Sequence, residues 1–180
     1  MNELTTSIYI LTSEALDVAQ TLRDEIFQHR LNSNLRMAYY FETFHHNNFP
    51  IRQDVIEWTH TEHTGDVLRE HYRHVSFLLA FLELTKESST SSSYSSDGVL
   101  QHVNNLEEKL YELLCHMMTT LNNLNVRVGS HVTRSEIPEQ LREITSVAVI
   151  NSRDFIIAKD AVHFLSGLKE SHSLMRSGYQ

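Results

Sequence analysis

At 180 residues, with a formal net charge of −8 and no polybasic run, the chain is expected to have no nucleic-acid partner. Its length is that of a single domain, residues 1–180, with one continuous core. One cysteine, Cys115, excludes an intrachain disulfide, and five glycines with two prolines suit long helices better than a turn-dense sheet. No apolar run reaches membrane-spanning length, so no membrane insertion is expected. Twelve histidines make the surface charge sensitive to acid: protonating all of them would carry it from −8 to +4.

The first predicted helix covers about residues 7–30. Leu11, Ala15, Val18, Leu22 and Ile26 form its inner stripe, while Asp17, Gln20, Asp24 and Gln28 fall on the wet face. From Leu31 to Gly65 the period is lost among Asn pairs, Pro50 and scattered aromatics, with a short helical turn near Asp54 to Trp58. The second helix covers about 66–86, on Leu68, Tyr72, Val75, Leu78, Leu79 and Leu82. A serine-rich tract from Ser88 to Asp97 follows, its small hydroxyl residues favouring a turn. The third helix, about 98–124 with Asp97 as N-cap, carries the longest stripe, from Val99 to Leu124. A second long connection contains a weak helical turn at Glu139 to Ile144. The last helix, about 152–175, is expected to open at Ser152, with Asp154 at its positive end.

The connections are therefore long, short, long. A helix of about 24 residues spans roughly 36 Å, and about 11 extended residues are needed to travel back along it. Both outer connections exceed that length. They permit a long-chain, all-α, up-up-down-down four-helix bundle with two crossover loops, an arrangement found in cytokines.

Particular residues carry a family resemblance. The run from Tyr72-Arg73-His74 through Leu78-Leu79-Ala80-Phe81-Leu82-Glu83 resembles the second helix of ciliary neurotrophic factor in register. Ser7-Ile8-Tyr9 and His29-Arg30-Leu31-Asn32 resemble the two ends of that family's first helix. Asp97-Gly98 with Gln101-His102-Val103 is similar to the start of its third. Phe155 stands nine positions before Phe164-Leu165 and Leu168, the spacing of its last helix, and Trp58 has a displaced counterpart. The chain is thus similar to the ciliary neurotrophic factor and cardiotrophin-like cytokines, of the interleukin-six type.

That resemblance implies a secreted ligand without catalytic activity. It would assemble a non-signalling alpha receptor, glycoprotein 130 and the leukaemia inhibitory factor receptor, and signal through Janus kinases. The family's Phe-x-x-Lys contact with the leukaemia inhibitory factor receptor maps onto Phe155. Ala158 occupies the lysine's place, and Lys159 follows one position later, a rotation of about 100°. Ser171 stands where the family has a tryptophan, and Arg176 is a displaced match to an arginine that faces the alpha receptor. The wet face on helices one and three would meet glycoprotein 130. The Phe155 end, with Trp58, would meet the second signalling receptor. Phe155 has two readings, core residue or anchor, and its place in the first turn favours partial exposure.

Other chemistry is weaker. His60-Thr61-Glu62-His63 looks like a metal patch, and Glu42-Thr43-Phe44-His45 imitates the Glu-x-x-His of di-iron bundles. Both fall in a connection, and the helical stripes show no inward acids, so no metal or cofactor is expected. No nucleophile elbow selects a triad, so the chain is not expected to be an enzyme. Cys115 reads as a quiet, partly buried thiol. The opening segment has no basic region and Ile8-Tyr9-Ile10-Leu11 is too short for a signal-peptide core. With the resemblance this points to leaderless release from a cytoplasmic pool to the extracellular space. The alternative is an intracellular, non-enzymatic helical scaffold or adaptor.

Overall fold

Thr12, His71 and His172, far apart in sequence, meet at one end of the protein, and Arg30, Ser88 and Asp154 meet at the other. A computed structural model describes residues 2–46, 49, 52–61, 63–90 and 98–177. Among them the chain is all-α: α1 (Asn2–His29), α2 (Leu35–Phe41), α3 (Arg52–Thr61), α4 (Thr64–Ser89), α5 (Val99–Asn123), α6 (Glu139–Arg142) and α7 (Val147–Ser177). The tract from Ser91 to Asp97, along with Pro50 and Glu62, lies outside the described residues, and the N-cap of α5 is Gly98, at positive φ, rather than the Asp97 expected from the sequence.

The four long helices follow from their apolar stripes. On α5, Val99, Val103, Leu106, Leu110, Leu113, Leu114, Met117 and Leu121 are buried at helical spacing, with polar residues between them. Cys115, one place off that stripe, is exposed rather than partly buried. On α1 the buried line is Ile8, Ala15, Leu16, Ala19, Leu22 and Ile26. On α4 every residue from Val75 to Leu82 is buried. A helix hidden all round needs cover on its outer side, and Phe49 and Val132 supply it. Phe49 packs its ring against Phe77, Phe81 and Phe164, and the Val132 amide donates to Ser76 Oγ (3.1 Å).

Contacts at the helix ends place the long helices. The α1 end meets the α7 start through Arg30 and Asp154 (2.5 Å), and the α1 start meets the α7 end through Thr12 and His172 (3.0 Å). α4 meets α7 through Ser88 and Asp154 (2.6 Å) at one end, and His71 and His172 (3.2 Å) at the other. α4 and α5 are linked by Lys86 and Glu107, and α1 and α5 by Lys109 and Glu14.

The last helix departs most from expectation. It opens at Val147, not Ser152, because no proline or glycine stands between the two; the Ile150 amide already donates to the Ser146 carbonyl. Asp154 therefore lies two turns inside, buried, instead of at the helix's positive end. It accepts from Arg30, Ser88 and the Arg153 guanidinium (2.7 Å), and Arg153 also donates to the Leu84 carbonyl. Burial pushes the Asp154 carboxyl above its ordinary range, while Arg153, Arg30 and Ser88 pull it back.

The first long connection is not structureless. After α1 the chain turns through Asn32 and Ser33, both at positive φ, and Asn34 caps α2 by accepting from the Met37 amide. α3 lies on α7 where Gly167 leaves room. A Cβ on Gly167 would stand 3.0 Å from Arg52 Cα and 3.2 Å from Val55 Cβ. One turn on, buried Ser171 hydrogen-bonds Thr59 (2.6 Å).

Candidate functional site

The wet face expected on α1 is present: Asp17, Gln20, Asp24 and Gln28 are all exposed. Beside it on α5, Tyr111 and Met118 expose apolar surface seven residues apart, hence on one side of the helix. Lys109 bridges the two helices, pairing with Glu14 (2.9 Å) and Glu112 (3.1 Å). Arg176 is exposed at the other end of α7, its guanidinium 4.6 Å above the Tyr9 ring.

The Phe155 end is built differently from the sequence reading. Phe155 is only 4% exposed, with ring contacts to Phe27 (6.3 Å) and Phe41 (6.4 Å). The expected partial exposure is corrected: the first turn of α7 lies earlier in the chain, and α2 covers the ring. Lys159, expected to orient a partner, is 2% exposed. Its ammonium donates to the carbonyls of Phe41 (3.2 Å), Glu42 (3.3 Å) and Phe44, and pairs with Asp160 at 3.1 Å. Three carbonyls and a carboxylate replace the water that a buried ammonium gives up. Lys159 thus fastens the end of α2 to α7.

The exposed apolar surface belongs to α2 itself. Leu35 is 75% and Tyr39 84% exposed, and Tyr40, Met37 and Phe44 are open too. Tyr40 packs its ring against Phe41 (5.5 Å) and Phe44 (4.9 Å), so the aromatics form one cluster. A shallow groove runs from Arg30 and Leu31 past Met37 to Val147 at the start of α7, where Val147 and Val149 are exposed. Aromatic and Met side chains gathered on an open face mark interaction surfaces more often than plain solvent-facing helix. Sequence reasoning missed this face because α2 buries no residue and so shows no period. The signal present was its cap, Asn34 after Asn32-Ser33.

No family model, curated protein or solved structure matches the chain. The site must be read from its own geometry. Trp58, half-buried on α3, stacks on His74 (4.9 Å), beside a cleft lined by Arg73, Phe77, Val132 and Glu136. Burial lowers the His74 pKa, with its bond to the Glu70 carbonyl opposing. Trp58 therefore does not adjoin the α2 aromatics through any described ring contact.

Two inward acids contradict the expectation of none: Asp154 and Asp160, both on α7. Among the described residues, His45, Asp160 and His163 bring nitrogen and carboxylate atoms within 4.8 Å of one another. Burial, followed by the Lys159 ammonium, lowers the His163 pKa, with Glu42 and Asp160 opposing. Of the His60-Thr61-Glu62-His63 run that resembled a metal patch, His60 is exposed and stands outside this group.

Proposed function

We propose that the chain is an extracellular helical cytokine, similar to ciliary neurotrophic factor, that acts by assembling cell-surface receptors. The observation that carries the reading is the set of contacts at the helix ends. α1 and α4 each meet the first half of α7 with their C-terminal ends, and the last turns of α7 with residues of their N-terminal halves. Lys86 late in α4 with Glu107 early in α5, and Gly98 before α5 close to Glu25 late in α1, support the opposite sense for α5. Such contacts support an up-up-down-down bundle in one domain, α1 beside α7 and α4 beside α5, with two crossovers along its length. An up-down-up-down bundle has no need of crossovers of this length.

On this reading the exposed residues of α1 and α5, including Asp17, Gln20, Asp24 and Gln28, face glycoprotein 130, and Arg176 faces the alpha receptor. The surface for the leukaemia inhibitory factor receptor is the α2 aromatic face, with Phe155 and Lys159 as its foundation beneath. Aromatic anchors of this kind supply most of an interface's binding energy. The protein works by binding and has no catalytic step.

The test is receptor phosphorylation after purified protein is added to cells carrying glycoprotein 130 and the leukaemia inhibitory factor receptor, with binding to each separate ectodomain. Tyr39→Ala with Tyr40→Ala should weaken the second receptor by about 2 kcal/mol or more and leave melting unchanged. Phe155→Ala should instead lose about 3–5 kcal/mol of stability, because it opens a cavity under α2. No phosphorylation and no ectodomain binding would reject the cytokine reading in favour of the intracellular scaffold.

A further inference from the structure

We propose that His45, Asp160 and His163 form a mononuclear site for a divalent ion of the zinc class, pinning the segment after α2 to α7. Asp160 and His163 lie three apart on α7 and therefore share a face. His45 reaches them from the loop that follows α2: its Nδ1 is 2.8 Å from Asp160 Oδ1. Glu42 joins from the same segment, 3.6 Å from His163 Nε2. Two acid-x-x-His segments, Glu42 to His45 and Asp160 to His163, thus face each other.

Two imidazoles and a carboxylate are a donor set that suits zinc and its transition-metal neighbours, not calcium or magnesium. Ligand atoms about 2.0–2.2 Å from such an ion stand ~3.3 Å apart in a tetrahedron. The three donors already lie within 4.8 Å, and the His45 and His163 side chains are one-third exposed (34% and 37%), so rotation of their rings closes the rest. Asp160 is the fixed point: it is 1% exposed, and its Oδ2 accepts from the His46 amide (3.0 Å). To ligate through Nδ1, His45 must carry no proton on that atom, its ring proton sitting on Nε2. Glu42 or water fills the fourth position.

Lys159 sets the strength of this site. Its ammonium also touches Asp160 Oδ1 (3.1 Å), so an incoming ion competes with it there. The three carbonyls hold that ammonium in place when the oxygen is taken. Binding is therefore weaker than in closed four-ligand zinc sites and reversible by chelator. A single site between α7 and a loop also differs from a di-iron centre, which needs two such motifs on facing helices and two further glutamates.

The experiment is calorimetric titration of the untagged full-length chain with zinc chloride, alongside melting with and without the ion. A parallel titration with cobalt chloride reads the ligand-field absorption. One equivalent, a raised melting temperature and a four- or five-coordinate cobalt band are expected. His45→Ala and His163→Ala should each remove all three, and His60→Ala should remove none. Metal-free melting confirms that each variant folds, and if His163→Ala does not, the more peripheral His45→Ala decides. Absence of a one-to-one event, or uptake that persists in both variants or falls equally in His60→Ala, overturns the site.

Discussion

The two ends of α7 bury polar groups by opposite means. At one end Asp154 is ionisable and saturated: two guanidiniums and a serine hydroxyl converge on it, with Thr85 Oγ1 at 3.4 Å. At the other end two histidines and Thr12 meet in the interior, with no charge among them. Thr12 Oγ1 donates to the Ile8 carbonyl (2.7 Å), so it accepts from His172 Nδ1–H. His172 Nε2 then accepts from His71 Nδ1–H (3.2 Å), and His71 Nε2 is left as a buried lone pair without a donor. A charge stays inside this fold by being surrounded; a base stays inside by never taking a proton.

The sharpest way to break the contrast is Asp154→Ala, which strands Arg30 and Arg153 in the interior. Removing one partner of a buried pair costs about 3–5 kcal/mol, and a lowered urea midpoint with unchanged slope would register it. A loss under 1 kcal/mol would mean that water reaches this end.

Acid should act chiefly at the opposite end. Burial lowers the His172 pKa to about 3, and burial, then His172 and His74, lower that of His71. Both fall below the unfolded value of about 6.5, so their contribution is complete above that pH and is lost as pH falls below it, for His172 down to about 3. At pH 5 His172 alone costs about 2 kcal/mol, and His71 adds to the loss in the same direction. Melting from pH 7.5 to 5 should show the fall, and the paired variant His71→Phe with His172→Leu should flatten it. An equally steep fall in that variant would place the acid sensitivity elsewhere. Least is expected of Lys109, whose pairs with Glu14 and Glu112 are exposed to solvent. Lys109→Ala should change stability by less than about 1 kcal/mol, and any effect should vanish in high salt.

The same contrast explains what could be read in advance. α5 faces solvent on one side, so its stripe from Val99 to Leu121 appears in the sequence as it lies in the structure. α7 is buried nearly all round from Arg153 to Val162, which erases the period and hides that Asp154 and Asp160 point inward. Phe155 misled for a related reason: what covers it is Phe41, more than a hundred positions away, on a helix with no periodic signal of its own. Asp17, Gln20, Asp24 and Gln28 were legible as a wet face because polarity alone decides exposure there. The His45 group was invisible as a unit, since its halves are joined only by the path of the chain over α7.

Gly167 gives the fold a setting screw. Because Arg52 and Val55 rest against its bare backbone, the height of α3 over α7 is fixed by the missing methyl group. A single alanine there would lift the ten-residue rod from below and shift Trp58 against His74 at its far end. The thickness of one carbon thus sets how closely α3 can settle on α7.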